Sequence, residues 1–547
     1  MSIRIVLDQR PEFYTNLDSI SGKVVLGLRR AEQIGNIVVK LEGEAITALQ
    51  VPHPHQADYN MKYGPLPGPP GSIVSENHKL LYKVQQVFPD DYYASSSNPY
   101  GAFPLHPGEH VFNFKFKLPI NNACSDPMAM SKLGGLGNFG GPGLFGMGGV
   151  RVMDGSKQMF LKHATRTLPP SLTGFPMEAE IRYYIKVTVQ RPGLLKENWR
   201  YQAGFKFLPI EPPRPKSTGQ EGFARRPFAF KPRTPLQERK SSFFSRKGDK
   251  GDTKGTSSDS KSAGGPDSAN APSIEMSARL PHPPVLACNQ PIPLRLIAKK
   301  LANCPDQVYI TSFEMNLIGV TEIRCHNIFN RKLNRWVVAN KLNLQIPLTS
   351  SPDDEVGKEL AVPDDIWKNV PLPNTIAPSF VTCNLTRKYE LEIKLGLSWG
   401  EPPKAGGAFS KQTPQQPNSI YLPLHFSSVD IYSGIKPPVE LVEAATHNPP
   451  RRNASNATGP RLPPRTSVSG PSGQSQAARP PQPARDPLYP PQLAPGQDQA
   501  PQDDAPPSYD EAMAENLSGP FDGLQERPAY SGVTNEDQPS QMPREKN

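Results

Sequence analysis

Lys388-Tyr389-Glu390-Leu391-Glu392-Ile393-Lys394-Leu395-Gly396-Leu397 is the stretch that decides the fold class. Tyr389, Leu391, Ile393, Leu395 and Leu397 fall at every second position, with charged residues or glycine between them. A period of two places one face of a strand on a core and the other in water; a helix would need a period of 3.6. The same alternation runs through Val111–Leu118, which ends at Pro119, and through Ile181–Val189. Shorter apolar runs lie at Ile3–Leu7, Lys23–Leu28 and Asn36–Leu41, with breaks at Ser21-Gly22 and at Gln33-Ile34-Gly35. In the second half, Val308–Thr311, Phe313–Val320 and Lys341–Pro347 read as further strands. Neither half holds an amphipathic helix of comparable clarity. Strands punctuated by turn residues predict an all-β chain built of sandwiches.

The chain has 547 residues, too many for a single hydrophobic core. Two strand-rich domains are expected, at residues 1–210 and 271–437. The first carries two insertions expected to be disordered: a Pro- and Gly-rich loop at about 52–76 and a glycine-dominated loop at 133–149. Residues 211–270 read as a basic Ser/Pro-rich linker. Residues 438–547 are rich in Pro, Ser, Gln and Ala and read as a long disordered tail, with too little apolar surface to offset the entropy of ordering. Composition agrees: Pro and Gly occupy 66 and 43 positions, and hydrophobic residues make up 36%, below the roughly 45–50% of globular domains.

The net charge of +10 is concentrated. Between Arg214 and Lys254 there are twelve Lys/Arg and four Asp/Glu, a local excess of +8. Such a segment is either a self-repelling spacer or a surface for anionic lipid or an acidic partner. It lacks the interleaved aromatic platform that specific nucleic-acid binding uses. The five cysteines (Cys124, Cys288, Cys304, Cys325, Cys383) are odd in number and contain no CxxC pair, so reduced thiols in a cytosolic protein are expected rather than a disulfide frame or zinc site. Neither a signal peptide nor an apolar run long enough to span a bilayer is read.

Two enzyme-like patterns fail on context. Gly135-Leu136-Gly137-Asn138-Phe139-Gly140 fits GxGxxG, but a dinucleotide site needs a strand before it and a helix after it, and here more glycines and Pro142 follow. His106-Pro107-Gly108-Glu109-His110 fits HxxEH, yet Pro107-Gly108 breaks the helix that would align both imidazoles. No catalytic residue, metal site or cofactor is assigned, and the chain is read as a non-enzyme.

The sharpest motif is in the tail. Ala505-Pro506-Pro507-Ser508-Tyr509 is a PPxY sequence. Pro506 and Pro507 pre-form a polyproline turn that packs on an aromatic groove, and Tyr509 fills an adjoining pocket, so Pro506, Pro507 and Tyr509 form a candidate WW-domain ligand. Asp503, Asp504, Asp510 and Glu511 flank it and favour a basic partner surface. Residues 510–517 can form a short helix. Pro487-Leu488-Tyr489 and Pro528-Ala529-Tyr530 lack the first proline and read as incidental or auxiliary sites.

Strands and tail together resemble the α-arrestins, the fungal-type arrestin-related trafficking adaptors. The resemblance is carried by IRIVLDQRPEFYTNLDSISGKVVLGL from Ile3 to Leu28, by Leu105–Phe114 leading to Leu118-Pro119, by Leu168-Pro169-Pro170-Ser171 before Ile181–Tyr184, and by Ile376-Ala377-Pro378-Ser379-Phe380 before the Tyr389–Leu397 strand. It implies two arrestin-like β-sandwich domains in tandem. It implies an adaptor that binds cytosolic tails of plasma-membrane transporters or receptors, recruits a HECT Nedd4-type ubiquitin ligase through the PPxY motif, and promotes cargo ubiquitination and endocytosis. The location implied is cytoplasmic, with recruitment to plasma membrane and endosomes. The alternative on the same fold is a signalling scaffold, for example in ambient-pH sensing, linking a receptor to endosomal sorting proteins.

Arg239-Lys240-Ser241-Ser242 and Arg452-Asn453-Ala454-Ser455 place Ser242 and Ser455 three residues after an arginine, as candidate phosphorylation sites. Lys299, Lys300, Arg331, Lys332 and Arg335 are read either as a basic cargo-facing patch or as solvated strand edges.

Overall fold

A computed structural model of the chain describes residues 1–53, 66–89, 102–123, 162–193, 196–231, 271–349, 354–400, 419–447, 517–522, 526–532 and 539–543. The first half contains β1 (Ser2–Leu7), β2 (Ser19–Leu28), β3 (Glu32–Ile34), β4 (Asn36–Gln50), β5 (Ile73–Phe88), β6 (Phe103–Leu105), β7 (Gly108–Lys117), β8 (Asn121–Ala123), β9 (Lys162–Thr167), β10 (Leu172–Phe175), β11 (Ala179–Gln190) and β12 (Trp199–Phe205). One sheet has the order β1-β2-β7 and the other β10-β11-β4-β5, with β12 joined to β11. Ile20, Val24, Leu26, Val39, Leu41, Ile181, Ile185 and Val187 form the core of this N-sandwich.

The second half contains β13 (Glu221–Ala229), β14 (Ser273–Pro281), β15 (Val285–Ala287), β16 (Arg295–Lys300), β17 (Val308–Cys325), β18 (Ile328–Lys341), β19 (Ile346–Pro347), β20 (Glu359–Ala361), β21 (Phe380–Val381), β22 (Leu385–Trp399) and β23 (Ile420–Tyr432). Its sheets run β13-β14-β16-β20 and β15-β23-β22-β17-β18. The alternating stretch is the middle of β22. Tyr389, Leu391, Ile393, Leu395 and Leu397 are all fully buried, and the strand lies between β17 and β23. Trp367 is buried against Phe313, with ring centroids 5.1 Å apart, and its indole N–H donates to the Leu294 carbonyl at 2.9 Å. A nine-residue helix, α1 (Val439–His447), follows β23 and belongs to a separate compact unit.

Three expectations change. The stretch 211–270 is not linker throughout: Glu221–Ala229 is β13, paired antiparallel with β14 from Glu221↔Pro281 to Ala229↔Ser273. Its apolar signal is thin, and Pro227 argues against a strand, but β13 is an edge strand, where a missing N–H is tolerated. The loop at 52–76 ends early, because β5 begins at Ile73. The tail is not uniformly detached, since residues 517–522, 526–532 and 539–543 pack with the sandwiches. The glycine-rich stretch at 133–149 lies outside the described residues.

Trp367→Ala removes a stacked, hydrogen-bonded ring from the second core. It is expected to lower unfolding stability by about 3–5 kcal/mol, read from the midpoint of urea denaturation.

Candidate functional site

The two sandwiches share a boundary built from β4, β5 and the β17–β18 hairpin. The hairpin turns at His326, whose φ is +52°. Ile323, Cys325 and Ile328 beside the turn pack into the N-sandwich core, as do Ala377, Phe380 and Leu385. A buried polar cluster lines the same boundary. Arg324 Nη2 lies 2.9 Å from Glu76 Oε1, and both side chains are 9% exposed. Arg324 Nε donates to the Cys383 carbonyl at 2.8 Å. The His326 amide donates to Glu76 Oε2, and the His78 ring nitrogen stands 2.6 Å from Oε1. Thr47 Oγ1 donates to the Arg324 carbonyl at 2.7 Å, and the Asn384 amide donates to the Ala45 carbonyl at 3.0 Å. Burial alone would raise the Glu76 pKa. The hydrogen bonds from His78 and the His326 amide, with the Arg324 charge, outweigh it and hold the carboxyl at about 2.

A second polar and aromatic site is closed by the tail. Phe13 is fully buried between β1 and β2, and Asp18 is 4% exposed. Asp18 Oδ2 accepts the Thr15 amide at 2.9 Å and Arg527 Nη1 at 2.9 Å. Burial pushes the Asp18 carboxyl up, against the opposing pull of the Thr15 amide and Arg527. The Arg527 guanidinium sits 4.6 Å from the Phe521 ring centroid and 5.6 Å from that of Phe13. Phe521 and Tyr530 meet Phe13 edge-on at 6.4 and 6.0 Å, a geometry favoured by the ring quadrupoles. The segment then reaches the C-sandwich: Asn289 donates to the Ala529 carbonyl at 3.1 Å, and Ser531 donates to Asn374 Oδ1 at 2.8 Å. Further along, Ser540 donates to Glu180 on β11. These described tail residues form a strap across both sandwiches.

Sequence-assigned residues fare differently. Pro506, Pro507 and Tyr509, the 510–516 part of the helix expected at 510–517, Ser242 and Ser455 all lie outside the described residues. The basic residues fall on two sheets of the second sandwich. Lys299 and Lys300 are on β16, in one sheet, and Lys300 is 6% exposed. Arg331, Lys332 and Arg335 are on β18, in the other sheet. They pair with Glu390 at 3.4 Å, Glu178 at 2.9 Å and Glu392 at 2.9 Å. Pro528-Ala529-Tyr530 is not an exposed auxiliary motif, because Tyr530 is 2% exposed. His106–His110 is a turn entering β7, where the His110 ring nitrogen stands 2.8 Å from the His106 carbonyl oxygen.

Sequence reasoning missed Glu76, Arg324, Asp18 and Arg527. One signal was available for the strap: LSGPFDGLQERPAY from Leu517 to Tyr530 is an apolar and aromatic island in a Pro-, Ser- and Gln-rich tail.

Comparison with known proteins supports the family resemblance. Residues 3–139 match the family model described as arrestin (or S-antigen), N-terminal domain. A protein named Arrestin-related trafficking adapter 10 from Lachancea thermotolerans is 33% identical over 129 residues, covering 22% of this chain and 28% of that protein. Its namesake from Candida glabrata is 32% identical over 121 residues, covering 21% of this chain and 22% of that protein. The matched stretch thus spans about a quarter of each relative. Residues 3–139 are similar to an arrestin N-terminal domain, and a stretch of the chain is similar to fungal proteins named arrestin-related trafficking adapters.

The Glu76 pKa is lowered on folding, so its stabilising effect is complete above the ordinary glutamate pKa and is lost as pH falls from about 5 toward 2. A shift of this size corresponds to roughly 3 kcal/mol. Glu76→Gln is expected to flatten the acid dependence of unfolding between pH 5 and 3, leaving the part due to the other depressed carboxyls such as Glu42, measured by urea titration at each pH.

Proposed function

We propose that the chain is a non-enzymatic trafficking adaptor whose sandwiches bind the cytosolic part of a membrane protein and whose tail recruits a HECT Nedd4-type ubiquitin ligase. The observation that carries this reading is the match of residues 3–139 to an arrestin N-terminal domain, beside relatives of the chain named trafficking adapters. The PPxY sequence at Pro506–Tyr509 supplies the ligase end. Two prolines ahead of a tyrosine match the groove-and-pocket surface of a WW domain, and little conformational entropy is lost on docking. The adaptor then acts by proximity, raising the effective concentration of ligase at the cargo's lysines without bond chemistry of its own. Cargo ubiquitination is followed by endocytosis, which places the working protein in the cytoplasm, at the plasma membrane and on endosomes.

A peptide spanning Asp503–Leu517 is expected to bind isolated Nedd4-type WW domains in the low-micromolar range. Tyr509→Ala in that peptide should weaken binding at least tenfold, because the ring pocket is left empty. Fluorescence anisotropy reads both, and equal binding by the two peptides removes the ligase arm of the proposal.

A further inference from the structure

The groove beneath the strap has a chemistry that its present occupant satisfies side chain by side chain. Its floor is the fully buried Phe13, and Asp18 is a carboxylate shielded from water beside it. A carboxylate in such surroundings is strongly destabilised unless a cation meets it, and Arg527 does so while its guanidinium lies 4.6 Å from the Phe521 ring centroid and 5.6 Å from that of Phe13. Three residues on, Tyr530 is buried with its ring edge-on to Phe13 and the Lys206 ammonium 6.0 Å from its centroid. Polar groups fix the backbone at both ends. Lys117 donates to the Leu517 carbonyl, and Asn289 donates to that of Ala529. The chain must also stay slim there, because a Cβ at Gly519 would lie 3.1 Å from Asp18 Oδ1.

The strap is a weakly committed occupant. In the segment 517–532 Tyr530 is the one large side chain that is fully buried among the described residues, while Phe521 and Arg527 stay partly exposed. Residues 439–516 separate the segment from the end of the C-sandwich, so its docking closes a loop of 78 residues, whose entropy opposes closure. The groove residues, in contrast, are built into the N-sandwich. Asp18 is held by the Thr15 amide, and the Leu17 amide and the Asp18 carbonyl are bonded to Leu118.

We infer that this groove is a docking site for an arginine-bearing aromatic peptide of another protein, for which residues 517–532 act as an intramolecular stand-in. The ligand class is an extended segment with an aromatic residue, an arginine six positions later and a tyrosine three after that, the spacing of Phe521, Arg527 and Tyr530. Arginine is preferred over lysine because its guanidinium can sit over two phenylalanine rings while a terminal nitrogen reaches the carboxylate. The inference does not depend on the ligase reading, since Tyr509 is outside the segment.

A labelled peptide of Leu517–Gly532 tests it in trans. The proteins compared are the wild-type full chain, the full chain carrying Arg527→Glu and Tyr530→Ala, and a chain ending at Asn516 that vacates the groove by a second route. Both vacated proteins are expected to bind the peptide at least tenfold more tightly than wild type. Arg527→Ala in the peptide, which leaves the protein untouched, should cost a factor of ten or more. A peptide keeping only Phe521, Arg527 and Tyr530 on a Gly/Ser background should compete. Equal affinity for vacated and wild-type proteins, or indifference to Arg527→Ala, overturns the inference. Failure of the reduced peptide to compete also overturns it, by reserving the groove for the chain's own strap.

Discussion

Glu76 and Arg324 face one another across the boundary between two sandwiches, 248 residues apart in sequence. Both are almost wholly removed from water. Taking two charges out of water is costly, and the cost is offset only when geometry and additional hydrogen bonds are good. Here the carboxylate also meets the His326 amide and the His78 ring, and the guanidinium also meets two carbonyls. Such a cluster penalises any arrangement that separates its members. Sliding one sandwich over the other would strand a buried charge, whereas an apolar boundary would tolerate the slip. The hairpin tip at His326 is therefore seated in one register against β4 and β5.

That seating creates the second site. With the sandwiches held together, Phe13 and Asp18 of the N-sandwich lie within one short segment's reach of Asn289 and Asn374 of the C-sandwich. The strap can touch both only because their separation is set. It is held by the Arg527–Asp18 ion pair, two edge-on rings and hydrogen bonds to backbone and side chains. A site of this composition suits exchange between occupants, while the boundary suits permanence.

Much of the fold was legible from alternation alone. β22, β7 and β11 were readable because a sheet with one buried face repeats every two residues, and that repeat is local. β13 was not readable, since an edge strand bearing Arg225, Arg226 and Pro227 buries little and alternates weakly. On β11 the pattern fails in the other direction. Glu180, Arg182 and Tyr184 point away from the core yet are buried, covered by the strap at Ser540 and by the Lys79–Glu42 cluster. The basic residues of β16 and β18 stand on different sheets, because sheet order rather than sequence order decides which faces coincide.

By itself the sequence determined that this is a β protein of two sandwiches with a PPxY motif in its tail, because periodicity and short linear motifs are properties of neighbouring residues. Only the tertiary structure decided that Glu76 meets Arg324, and that Asp18 meets Arg527 across 509 residues. The physical reason is that a charged side chain's burial and partner depend on what the folded chain places opposite it. A polar residue in a strand or a tail looks the same in sequence whether it faces water or the one ion that completes it.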